Sequence, residues 1–191
     1  DWNYSNAGYV LLGRIIENVS HEGYYDYVQR HVFKPAGMQA SGFDRLDDVV
    51  PKLAVGYFHD GIFSSAWKAD WLKLGVKGSP AGGGYSNNTD LLRFAAALRD
   101  GRLVKAQTLA KMFEDQVPAG PGGYAAGFGD RLSNGSPIRG HSGGIEGTTA
   151  NLQMVWNANA AVALTSNQGP SQTWMLAERI ADLLAAQGAK P

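Results

Sequence analysis

Two short groups of residues, far apart in the chain, carry the side chains best suited to moving protons. Tyr4-Ser5-Asn6 stands near the start, and His141-Ser142-Gly143-Gly144 lies far downstream. A phenol, a carboxamide and an imidazole can pass protons and orient a polar substrate, while consecutive glycines let a backbone approach a reacting carbonyl closely. A phenol titrates at about 10, so it serves poorly as a base at neutral pH; lowering that value by about three units requires roughly 4 kcal/mol of preferential stabilisation of the phenolate. An imidazole, titrating at about 6.5, is mostly neutral at pH 7 and grips a carboxylate more weakly than a lysine does.

Other chemical candidates are weaker. Ser65-Ala66-Trp67-Lys68 spells Ser-x-x-Lys, but chance alone supplies about half such an occurrence in a chain of this composition. It also follows the tyrosine group and a turn-prone Asp60-Gly61, where an activated serine at the head of a buried helix is not expected. Gly82-Gly83-Gly84 lacks the Gly-Lys-Ser/Thr that would make it a phosphate loop. His21, His31 and His59 lack metal-ligand spacing and read as surface residues.

The order of the two main groups resembles that of the serine β-lactamase and penicillin-binding-protein-like hydrolases, in the branch with class C β-lactamases, esterases and D-aminopeptidases. That signature runs from a Ser-x-x-Lys nucleophile, through a Ser- or Tyr-centred box ending in Asn, to a Lys-Thr-Gly-type strand box. The resemblance extends from Asp1-Trp2-Asn3-Tyr4-Ser5-Asn6 through Ile15-Ile16-Glu17 to Pro35-Ala36-Gly37-Met38. It continues in Gly82-Gly83-Gly84-Tyr85-Ser86 with Asp90-Leu91-Leu92-Arg93-Phe94, and in His141-Ser142-Gly143-Gly144 with Gly147 and Thr165-Ser166-Asn167. It implies an acyl transfer through a serine ester on a small ester, amide or β-lactam.

In that pattern Tyr4 exchanges protons with the nucleophile and leaving group. Asn6 bonds the nucleophile motif's lysine and the substrate's acyl side chain, and His141 takes the place of the strand lysine. Ser142 bonds substrate, Gly143 allows close approach, and the Gly144 N–H is one of two oxyanion donors. The other donor belongs to the nucleophilic serine. No Ser-x-x-Lys precedes Tyr4 in this chain, so the expectation is a single domain, residues 1–191, forming the carboxy-terminal portion of such a hydrolase and inactive alone. The rival expectation is a non-catalytic pseudoenzyme or binding module that keeps the groove.

Composition agrees without discriminating. The 191 residues are 44% hydrophobic, enough for one sizeable core. With 17 basic and 17 acidic side chains the net charge is zero, which gives no electrostatic footprint for nucleic acid. The absence of Cys excludes disulfides and thiolate chemistry. No cofactor is expected, and no apolar run reaches the length of a membrane span.

Patterning predicts the elements that position these groups. Tyr9, Leu12, Ile16 and Val19 form one stripe of a helix from Ala7 to Val19, with Ser5 or Asn6 as its cap. Tyr24 to Phe33 reads as a helix stopping before Pro35. Val55 to Phe58 and Ile62-Phe63 flank Asp60-Gly61 as a hairpin, and Asn88 to Arg99 reads as a helix ended by Gly101. Tyr124 to Gly129, Ile138 to His141, Thr148 to Trp156 and Ala160 to Thr165 read as strands, and Leu176, Ile180, Leu183 and Leu184 as the buried stripe of a closing helix. The fold class is α+β, an antiparallel sheet with flanking helices and a helical subdomain. With the family's amino-terminal elements absent from the chain, an open strand edge near Thr148 to Thr165 and an uncovered apolar groove are expected. The partners expected are therefore an amino-terminal complement or a second copy.

Overall fold

The computed structural model describes residues 2–61, 66–70, 76–114, 117–120, 122–169 and 171–188. The Ser65 of the Ser-x-x-Lys match and the Ile62-Phe63 arm of the expected hairpin lie outside them. Helix α1 (Asn6–Ser20) starts where Ser5, in extended conformation, accepts the Gly8 N–H at 3.1 Å. Ser5 is thus the cap and Asn6 the first helical residue. A side chain at Gly13 would meet the Pro80 ring, so this helix lies directly against the 78–82 loop.

The second helix does not stop before Pro35. Helix α2 (Tyr24–Val28) passes through a π-helical turn, Gln29–Phe33, into α3 (Lys34–Ala36), and Gly37 ends it at φ 76°. The wide turn takes the Lys34 N–H back to the Gln29 carbonyl, which leaves room for a proline whose nitrogen has no proton to give.

Strand β1 (Tyr57–His59) pairs antiparallel with β2 (Trp67–Ala69). Helix α4 (Asn88–Arg99) is capped by the Asn87 side chain on the Asp90 N–H, and α5 (Ala106–Glu114) follows. The main sheet is antiparallel with strands in sequence order: β3 (Val117–Ala119), β4 (Gly122–Tyr124), β5 (Gly129–Ser133), β6 (Ser136–Ile145), β7 (Thr148–Val155) and β8 (Ala160–Ser166). A two-residue β9 (Gln168–Gly169) returns to pair parallel with β1, and α6 (Thr173–Gly188) closes the fold. The expected single strand from Tyr124 to Gly129 is two strands, because Gly127 at φ 85° turns the chain between β4 and β5.

Alternation along β7 divides the core. Leu152 and Met154 join Ala95 and Leu98 of α4 and Leu109 and Phe113 of α5. Val155, with Ile138 and Val162, packs on Ala177, Ala181 and Ala185 of α6. Those alanines, spaced four apart, are the buried face of α6, and the expected leucine stripe is not. Leu176 and Leu183 are 53% and 60% exposed, while Ile180 and Leu184 pack at the margin. Small side chains let the helix axis sit close to the sheet, and the bulkier residues are displaced to its sides.

In the six-stranded sheet β8 forms an edge, as expected. Leu11, Leu12, Ile15 and Val19 of α1 are exposed, so of the expected stripe only Tyr9 and Ile16 are partly buried.

Asp90 ties α4 to the preceding loop. Its buried carboxylate accepts the Ala40 N–H at 2.7 Å, the Ser41 hydroxyl at 2.9 Å and Arg93 at 2.9 Å. Burial disfavours its ionisation, but the hydrogen bonds from Ala40, Ser41, Arg93 and Gln39 outweigh it and hold the carboxyl below the usual range. A lowered folded pKa means that this stabilisation is complete above the unfolded carboxylate value, about 4, and is lost as pH falls through the folded value. Asp90→Ala is expected to cost about 2–4 kcal/mol at pH 7. Urea titrations of both proteins at neutral pH and in acid check it, and the difference between them should shrink in acid.

Candidate active site

The amino-terminal approach to α1 and the end of β6 meet at one rim of the sheet. Strand β6 delivers His141 through Gly144, paired in register with Leu152, Asn151, Ala150 and Thr149 of β7. Gly140, just before them, could bear no side chain, since a Cβ there would lie 2.0 Å from the Leu152 carbonyl oxygen. The β6–β7 turn is held from beneath. Buried Asp70 accepts the Gly147 N–H at 3.0 Å, and the Tyr57 N–H reaches the Gly147 carbonyl at 3.3 Å. The strand bearing the glycines is therefore pinned at its tip by the small sheet.

Tyr4 and His141, distant in sequence, come together with their ring centres 6.4 Å apart. Tyr4 is 48% exposed, open to a bound molecule. Asn6 sits exposed in the first turn of α1; among the described residues no hydrogen bond joins it to His141. Ser142, Gly143 and Gly144 are also exposed. A Cβ at Gly143 would meet nothing within 4 Å, whereas at Gly144 it would press on the Thr148 carbonyl and the Thr149 methyl, both at 3.1 Å. One glycine thus leaves the strand open and the next allows tight pairing.

Three aromatic residues complete the cluster, and the sequence reading assigned none of them to it. Tyr124, the last residue of β4, lies with its hydroxyl 3.1 Å from Nε2 of His141 and 2.9 Å from the hydroxyl of Tyr9 on α1. The ring of Trp2 packs on Tyr124 at 4.4 Å and edges toward Tyr4 at 6.4 Å. Burial, then the hydrogen bond with Tyr9 and the neighbouring phenols Tyr9 and Tyr4, push Tyr124 above the ordinary phenol range, so it stays protonated at any physiological pH. A cleft of about 250 Å³ opens beside the group, lined by Gly122, Tyr124, Gly140, His141 and Ser142 among others. The available sequence clue was indirect: Tyr124 stands between Gly122-Gly123 and Ala125-Ala126-Gly127, small residues that expose an aromatic ring.

Among the described residues no group of three or more His, Asp or Glu side chains could hold a metal ion. None of their helices is long and apolar enough to cross a membrane.

The chain matches known proteins along nearly its whole length. The β-lactamase family model covers residues 1–187. The chain belongs to the β-lactamase family. A penicillin-binding protein from Bacillus halodurans superposes with a TM-score of 0.87 at 27% identity, over 95% of this chain and 56% of that one. The D-amino acid amidase from Ochrobactrum anthropi SV3, complexed with D-phenylalanine, gives 0.79 at 27% identity, over 100% of this chain and 59% of that one. The octameric penicillin-binding protein homologue from Pyrococcus abyssi gives 0.84 at 28%, over 96% and 42%. The α+β architecture is that of these β-lactamase-like proteins, and the family is one of serine hydrolases. Against curated relatives matched over 128 residues or more, the chain spans 24–35% of their length.

Proposed function

We propose that this β-lactamase-family chain is the carboxy-terminal part of a serine hydrolase that transfers the acyl group of a small ester, amide or β-lactam to a serine and then to water. The observation that carries the reading is the juxtaposition of Tyr4 with His141 at 6.4 Å, beside the glycine strand. The serine and its lysine come from a Ser-x-x-Lys segment ahead of Tyr4. In the proposed cycle that serine attacks the substrate carbonyl, and its proton passes through Tyr4 to the leaving group. The Gly144 N–H and the serine's own N–H face the developing oxyanion, and preorganised donors of this kind are worth about 3–4 kcal/mol each. Asn6 steadies the lysine and the acyl side chain, Ser142 bonds the substrate, and Gly143 leaves room for it. Water then repeats the attack on the ester, with Tyr4 returning the proton to serine.

His141 sets the preference among substrates. A lysine at this place would carry a permanent ammonium charge, and a histidine carries none that is permanent. The expected result is an enzyme that favours esters or amides over β-lactams. His141→Lys should then improve its handling of carboxylate-bearing substrates. Specificity constants for nitrophenyl butyrate and a cephalosporin, measured in a form that carries the nucleophile, test the assignment; a strong preference for the cephalosporin contradicts it.

A further inference from the structure

The Tyr9, Tyr124 and His141 contacts form a chain in which each proton has limited places to go. Tyr124 has one proton, lies between two partners, and stays protonated because burial and its neighbouring phenols disfavour its anion. Either it donates to Nε2 of His141 and accepts from Tyr9, or it accepts an N–H from His141 and gives its own proton to Tyr9 or to another acceptor. The half-buried Tyr9 decides between them, since Tyr124 is the hydrogen-bond partner its hydroxyl has among the described residues. A confined donor left without an acceptor costs more than an acceptor left with a spare lone pair. Tyr9 therefore donates to Tyr124, and the Tyr124 proton is directed at the imidazole, the other hydrogen-bond partner of its hydroxyl among the described residues.

We propose that Tyr124 is the positioning residue for His141: it donates its phenolic proton to Nε2, so that the ring keeps its own proton on Nδ1 and has a neutral Nδ1–H left for the substrate. Two further contacts hold Tyr124 in place for this. Its backbone pairs with Gly129 across the turn made by Gly127, and its ring is covered by Trp2 at 4.4 Å. Among the described residues the hydrogen bond and ring contacts of the imidazole are with phenols: Tyr124 on Nε2, with Tyr9 behind it, and Tyr4 at a ring separation of 6.4 Å. The assignment deepens the proposed function, because it rests on His141 facing substrate. It names what that histidine offers: one neutral donor, suited to a carbonyl or carboxylate oxygen, with its second nitrogen already engaged. Of the two nitrogens, which carries the proton is commonly set by the partner of the other.

The test needs no turnover. Long-range proton–nitrogen correlation spectra of protein labelled at the histidine nitrogens, recorded where imidazoles are neutral, distinguish the two tautomers, and His141→Asn assigns the resonance. The wild type is expected to show the Nδ1–H form at His141, although unconstrained histidines favour Nε2–H. Tyr124→Phe, with the other histidine signals unchanged, is expected to return His141 to the Nε2–H form. Tyr9→Phe, which removes the donor that fixes the direction, should weaken the preference for Nδ1–H, since Tyr124 can then accept from Nε2–H as well as donate to it. An Nδ1–H preference unchanged by Tyr9→Phe would also count against the proposal. An Nε2–H form in the wild type overturns the proposal, as does an unchanged pattern in a folded Tyr124→Phe protein. If Tyr124→Phe fails to fold, the wild-type and Tyr9→Phe spectra decide alone. A protein with the expected tautomer and no hydrolase activity would count against the proposed function and leave the role of Tyr124 standing.

Discussion

In a form that carries its serine nucleophile, Tyr4→Phe is expected to lower kcat by about 10²–10⁴-fold, the range that a positioned proton-transfer group contributes. The phenyl ring keeps the packing of Tyr4 near Trp2 and His141 and removes only the hydroxyl, so stability and KM should change little. Equal falls in kcat and kcat/KM mark a group that acts in the transition state. Steady-state kinetics on a nitrophenyl ester, with a thermal melt of both proteins, check this. A variant that loses substrate affinity and keeps kcat would make Tyr4 a packing or binding residue.

The 191-residue chain taken alone is expected to show no turnover of a chromogenic β-lactam or a nitrophenyl ester. A Tyr–His pair and one oxyanion donor have no covalent chemistry to assist once the nucleophile is withheld, and the members of such a constellation act as a unit. Its physical state is expected to follow from the same reading. The β8 edge and, separately, the exposed Leu11, Ile15 and Val19 of α1 favour association, because open strand edges and exposed apolar side chains recruit partners. Spectrophotometric assays and light scattering on one sample test both parts. A cooperatively melting, inactive monomer at high micromolar concentration would favour the non-catalytic binding module, and a catalytically active one would contradict the account outright.

Much of this arrangement was legible before any coordinates, where local chemistry decides it. Ser5 ahead of an apolar stripe marks α1 through capping, which acts within one turn, and Gly101, at φ 73°, marks the end of α4. Pro35 misled because the rule against proline in a helix assumes regular i to i−4 bonding, and the π-helical turn at Gln29–Phe33 suspends it. Helix α6 misled in its face. A hydrophobicity stripe favours large side chains, whereas close packing on a sheet selected Ala177, Ala181 and Ala185. The pairing of Tyr4 with His141 was legible only through the family pattern. Tyr124 was invisible even so, since its role comes from a turn that aims it at His141 and from Tyr9, one helical turn beyond Ser5. Chemistry assembled from three separate elements leaves no mark in the spacing of any one of them.

The central claim is that Tyr4, His141 and the Gly144 strand serve a serine that lies ahead of Tyr4 in a Ser-x-x-Lys segment. Intact-mass and peptide mass spectrometry after reaction with a fluorophosphonate tests it most directly, on the chain alone and on a form extended to include that segment. The account predicts one covalent adduct, on the serine of that segment and in the extended form only. An adduct on the chain alone that is abolished by Ser65→Ala would contradict it.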